Sequence, residues 1–132
     1  MGADCINDAS VARTLATIKH RRDFLAAARA RRWAAGGVVV QGRRRRDGEP
    51  FEADLTRVGY TCSKKVGNAV ERNRAKRRLR AAAAEILMRS GRPGWDYVLI
   101  GKARRTIERP FPKLLDDVAE ALERIHAPRK PK

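Results

Sequence analysis

The sequence predicts a single α+β domain in the order helix, strand, strand, helix, strand, helix. Three observations carry that reading. Helical periodicity at 22–35, 68–88 and 114–125 alternates with short β-branched, alternating or apolar runs at 38–41, 55–63 and 97–100. The 132 residues suffice for one core that buries about two-thirds of the unfolded surface. No internal repeat divides the chain.

Residues 1–14 show no clean period and read as a flexible leader, 15–126 as the domain, and 127–132 as a basic flexible tail. The first helix, rich in Ala and Arg, is expected over 22–35, with Gly36-Gly37 as a left-handed cap. Phe24 on that helix has two readings: a core anchor, which is the commoner fate, or an aromatic at a cleft rim that stacks on an unpaired base for roughly 1–3 kcal/mol. Val38-Val39-Val40-Gln41 is β-branched and predicts a strand. Arg43, Arg44, Arg45 and Arg46 then read as a flexible loop leading to an Asp47-Gly48 turn.

Over 55–63, Val58, Tyr60 and Cys62 alternate with Arg57, Gly59, Thr61 and Ser63. The small polar second face is either solvent-exposed or the floor of a groove. Tyr97-Val98-Leu99-Ile100 is a continuous apolar run, the pattern of a strand covered on both faces. Strand, helix and strand here imply parallel neighbours. Pro112 suits the first turn of a last helix, whose stripe is Leu114, Leu115, Val118, Leu122 and Ile125. Asp116, Asp117, Glu120 and Glu123 are expected on its outer side.

The densest chemistry lies between Lys64 and Arg80, where eight of seventeen residues are Lys or Arg and only Glu71 is acidic. Asn68 is placed to cap the helix that follows. On a helical wheel Ala75, Leu79, Ala82, Ala83 and Ile86 form one stripe. Asn73, Arg74, Lys76, Arg77 and Arg80 spread over the opposite side, Arg78 sits at its edge, and Arg72 lies near the buried border. A solvated helix face normally mixes Glu with Lys; this one does not, and phosphate would supply the missing counter-charge. The whole chain agrees: 31 Lys and Arg against 15 acids, a net charge of +16.

A membrane surface is the rival polyanion, but no apolar run approaches the ~20 residues of a spanning helix and no signal-peptide pattern opens the chain. Cys5 and Cys62 are too few for a disulfide framework, so a cytoplasmic location is expected. Residues for protein-borne nuclease chemistry are missing. His20 and His126 are the only histidines, the acids are scattered, and Ser63 has no evident base.

Ser63-Lys64-Lys65-Val66-Gly67-Asn68-Ala69-Val70, followed by Arg72-Asn73-Arg74-Ala75-Lys76-Arg77, resembles the signature of the protein subunit of bacterial ribonuclease P. Weaker similarity extends from about Ile18 to Ile125. The resemblance implies a ribosomal-protein-like domain with a small central sheet of three to four strands, three helices and a left-handed crossover. It implies a subunit that binds the catalytic RNA and the 5′ leader of precursor tRNA, with the chemistry carried by the RNA and its magnesium ions, and none held by the protein alone. The implied RNA contacts are Lys64, Lys65, Asn68, Arg72, Asn73, Arg74, Lys76, Arg77, Arg78 and Arg80. Phe24, Val38, Val40, Gln41, Thr61 and Ser63 would line the leader cleft. Partners are then ribonuclease P RNA and precursor tRNA, with no membrane and no obligate protein partner. A second family aromatic, one turn after Phe24, is replaced here by Ala28. Alternatives are a generic RNA-binding or ribosomal structural protein and a self-sufficient nuclease.

Overall fold

The computed structural model describes residues 15–46 and 55–127. The expected leader at 1–14 with Cys5, the Asp47-Gly48 turn, and the tail beyond Ala127 lie outside the described residues. The elements are β1 (Ala16–Thr17), α1 (Arg21–Ala28), β2 (Arg31–Ala34), β3 (Val38–Arg44), β4 (Arg57–Thr61), α2 (Ala69–Ser90), β5 (Trp95–Gly101), α3 (Arg105–Glu108) and α4 (Phe111–His126). They form an α+β domain with one open five-stranded sheet in the order β1-β4-β5-β3-β2.

The strand–helix–strand reading holds: β4 and β5 are parallel neighbours, Val58 opposite Tyr97. β5 pairs antiparallel with β3, and β3 with β2. Two of the five strands, β1 and β2, were not located from sequence. The expected first helix ends at Ala28 rather than Ala35. Arg31 to Ala34 instead pair with Gly42 to Val39, because sheet pairing overrides the weak preference of Ala and Arg for helix. Gly36-Gly37 is therefore the two-residue connection of a hairpin, closed by Ala35 N–H donating to Val38 O at 2.9 Å. Both glycines make room for α4 and its approach: a Cβ at Gly36 would meet the Arg109 guanidinium carbon at 2.7 Å.

Alternation sorts the sheet residues into two faces. Val38, Val40, Val58, Tyr97 and Leu99 turn to one face, against Leu79, Ala82, Ala83 and Ile86 of α2 and Leu114, Val118, Leu122 and Ile125 of α4. On the other face α1 seals a smaller cluster of Ile18, Ala27 and Val98, with Phe24 and Ile100 at its margin.

The four arginines predicted as a flexible loop belong to the fold. Arg43 and Arg44 complete β3, and Arg45 is buried, donating to Asp96 Oδ1 at 2.6 Å and to the Leu55 carbonyl. Asp96 has no exposed surface and also accepts from Arg57 at 2.8 and 2.6 Å, with Arg43 at 3.5 Å. Arg57 reaches Asp23 of α1 at 3.4 Å. Burial opposes the Arg57 charge, but Asp96 and Asp23 outweigh it and raise its pKa. A carboxylate this deep is stable only when its charge is matched.

The last helix differs from expectation at one acid. Asp117 is buried rather than outward, accepting from Gly37 N–H at 2.8 Å and from Arg109 at 2.6 and 3.0 Å. It ties the hairpin to α4.

Candidate nucleic-acid interface

The basic helix begins where its sequence dictates. The Asn68 side chain accepts from Glu71 N–H at 2.9 Å, and the Glu71 carboxylate accepts from Asn68 N–H at 2.9 Å. This capping box uses the one acid of the basic stretch at the positive end of the helix dipole. Gly67 precedes it at φ 148°, a region essentially closed to other residues, and any Cβ there would strike Glu71.

From that start, Ala75, Leu79, Ala82, Ala83 and Ile86 are buried, and the cations are left outward. Lys64, Lys65, Asn73, Arg74, Arg77 and Arg80 are exposed, and Arg72 and Lys76 half-buried. The side chains of Lys64, Lys65, Arg74, Lys76 and Arg77 have no hydrogen bond or ion pair to any carboxylate among the described residues. Arg80 lies over the Tyr60 ring, 5.3 Å from its centroid, at a groove of about 390 Å3 also lined by Thr17, Val58, Ala84 and Met88. Burial pushes the Tyr60 hydroxyl pKa up, with Arg80 opposing.

Two of the expected contact residues are engaged within the protein. Asn68 is the cap. Arg78 donates from Nε to the Thr106 carbonyl at 2.9 Å and also to the Arg109 carbonyl, with Phe111 beneath its guanidinium at 5.9 Å. Its position at the edge of the polar side, already visible on the wheel, puts it within reach of α3. Arg72 is enclosed near Cys62, its Nε without a partner among the described residues. Cys62 is a free thiol whose pKa burial raises, against Lys76, a Gly101 N–H and Arg72.

The expected cleft residues divide between the two sheet faces. Val38 and Val40 are fully buried beneath α2 and α4, so they cannot line a cleft; strand alternation turns them away from α1. The same alternation puts Val39 and Gln41 with Gly59, Thr61, Val98 and Ile100 on the face that carries α1. Phe24 lies half-buried on that face against Gly59, and Thr61 and Ile100 remain partly exposed beyond it. Ser63 is exposed and accepts from Lys65 N–H at 3.3 Å. The period-2 pattern of β3 contained this division: Val39 and Gln41, both buried, alternate with Val38 and Val40 along the strand.

His126 is held neutral. The Tyr97 hydroxyl oxygen accepts from Arg92 N–H at 2.9 Å and shares a hydrogen bond of 2.7 Å with His126 Nε2. Burial, with Arg92 and Arg31, lowers the His126 pKa to about 4, and burial raises that of Tyr97 to about 12. Among the described residues no three His, Cys, Asp or Glu side chains are grouped to hold a metal, and no helix is long and apolar enough to cross a membrane.

A family model described as Ribonuclease P matches residues 13–126. The ribonuclease P protein component of Ruegeria pomeroyi is 59% identical over 115 residues, covering 87% of this chain and 90% of that protein. That of Paramagnetospirillum magneticum is 47% identical over 121 residues, covering 91% and 90%. The ribonuclease P protein from Thermotoga maritima superposes with a TM-score of 0.65 at 26% identity, over 84% of this chain and 98% of that one. The Staphylococcus aureus protein, at 22% identity and a TM-score of 0.67, shares the fold over 86% of this chain and 97% of its own.

Proposed function

Because this chain belongs to the ribonuclease P protein family, we propose that it binds the catalytic RNA of ribonuclease P and the 5′ leader of precursor tRNA, and so assists removal of that leader. The observation that carries the reading is the set of cations on and before α2, Lys64, Lys65, Arg74, Lys76 and Arg77, left without carboxylate partners among the described residues. Held on a rigid helix over the core, they lower the repulsion between two RNA polyanions and let the leader approach the cut. The leader is assigned to the α1 side of the sheet, with Phe24, Gln41 and Thr61 along it.

Magnesium ions bound with the RNA supply the hydrolytic chemistry in this reading, and no protein residue is assigned a step on them. The protein side chains bind and orient. Neutralising about six phosphates would make log affinity fall by roughly 4–5 per decade of salt.

Cleavage of precursor tRNA at low magnesium tests this, with RNA subunit alone, protein alone, and both. Restored cleavage only with both is expected. Cleavage by the protein alone would make it a nuclease, and binding without stimulation would make it a generic RNA-binding protein.

A further inference from the structure

We propose that a second RNA-phosphate site lies at the end of the sheet remote from the basic start of α2. It is a pocket of about 440 Å3, lined by Arg29, Arg31, Arg43, Arg44, Arg46 and Trp95 together with Ala26, Ala30 and Gly42. The pocket exists because β2 is short. Its pairing with β3 ends at Arg31 opposite Gly42, and β3 runs on through Arg43 and Arg44 without that neighbour. The chain leaving α1 at Arg29 and Ala30 forms the opposite wall. Trp95 opens β5, whereas Gly101, at the other end of the same strand, touches Cys62 beside α2. Seven residues of strand separate the two ends by ~20 Å.

The charges around it are not equivalent. Arg31 is committed to the carbonyls of Ile125 and Ala127, and Arg43 stands 3.5 Å from Asp96. The exposed guanidinium groups of Arg29 and Arg44 have no hydrogen bond or ion pair among the described residues. No carboxylate lines the pocket. Guanidinium groups lining one concavity match the forked acceptors of a phosphodiester, and Trp95, its ring packed against Tyr97 and His126, forms a rigid part of the wall. A concave, aromatic-walled site suits one nucleotide of a strand better than a flat lipid surface. The inference rests on the RNA-binding reading above and gives it a second anchor.

The rival counter-charge is in the chain itself: Asp47, Glu49, Glu52 and Asp54 follow Arg46 in sequence, outside the described residues. Binding of the full-length protein to ribonuclease P RNA between about 50 and 200 mM salt separates the two. Arg29→Ala with Arg44→Ala should reduce the slope of log affinity on log salt by roughly 1.4–1.8 and weaken binding roughly 10–30-fold near 0.15 M, with the melting temperature unchanged. Lys113→Ala with Arg124→Ala, on the acidic helix α4, removes the same charge as a control. A pocket variant indistinguishable from that control, or one that melts earlier while its slope stays at the wild-type value, overturns the proposal. Arg74→Ala with Arg77→Ala runs alongside. Should neither the helix pair nor the pocket pair change the slope, the RNA-binding reading itself fails, whereas loss only in the helix pair removes this site alone.

Discussion

The ring of Phe24 lies so close over Gly59 that a Cβ on the glycine would stand 2.6 Å from Cε1 and 2.8 Å from Cζ. The glycine is what lets α1 settle on the sheet. Gly59→Ala is therefore expected to displace the ring and cost about 1–3 kcal/mol, and Phe24→Ala, which removes a half-buried ring, about 2 kcal/mol. Urea denaturation measures both. If the leader runs along this face, both variants also lose affinity for precursor tRNA relative to mature tRNA; equal affinity loss for the two RNAs would place the leader elsewhere.

Arg78 and its neighbours Arg74 and Arg77 should behave oppositely. Arg78 holds two backbone carbonyls between α2 and the start of α4, so Arg78→Ala is expected to destabilise by about 1–3 kcal/mol. Arg74→Ala with Arg77→Ala, on exposed side chains, should leave the melting temperature within about 0.5 kcal/mol equivalent while flattening the salt dependence of RNA binding by roughly 1.4–1.8. A stable Arg78→Ala protein with a flattened slope would return that residue to the RNA surface.

Asp96 is the acid the fold cannot lose. It faces Arg43, Arg45 and Arg57 from a fully buried position. Asp96→Asn keeps the shape and removes the carboxylate charge that Arg43, Arg45 and Arg57 share, at a cost of about 3–5 kcal/mol. Thermal melting reads this directly, and a loss below about 1 kcal/mol would mean that solvent or other acids already balance those arginines.

The neutral His126 gives the fold an acid-side dependence. Its folded pKa, about 4, lies below the ordinary value of 6.5, so the unfolded chain binds more protons between the two. Stability should rise with pH across that window and its contribution be lost as pH falls through it. His126→Asn removes the titration, so the stability gap between wild type and variant should narrow on going from about pH 7 to pH 5. A gap independent of pH would show that the imidazole is solvated and titrates normally.

The basic helix, its cap and the parallel strand pair were legible because each rests on local chemistry: Asn68 before a periodic run, apolar residues at helical spacing, and β4–α2–β5 in sequence. What was not legible depends on pairing at a distance. Residues 31–34 have the composition of a helix and become a strand only because Val39–Gly42 lie alongside. Arg43 to Arg46 look like one charged run, yet the sheet buries Arg45 on Asp96 and leaves Arg44 exposed. Asp117 looked solvated by its spacing, but the hairpin brings the Gly37 N–H to it. Val38 and Val40 were assigned to a cleft by the strand they sit on rather than by the side of that strand they face.

The Asn68–Glu71 box does more than complete a helix end. Each residue of an α-helix turns by about 100°, so a start displaced by one position would swing the whole fan of guanidinium groups a quarter-turn toward the sheet and bring the alanines outward. By pinning the first turn from both sides, two reciprocal contacts set the angular bearing of every cation downstream. One residue inserted between Glu71 and Asn73 would leave the cap in place and turn the cations after it away from their bearing.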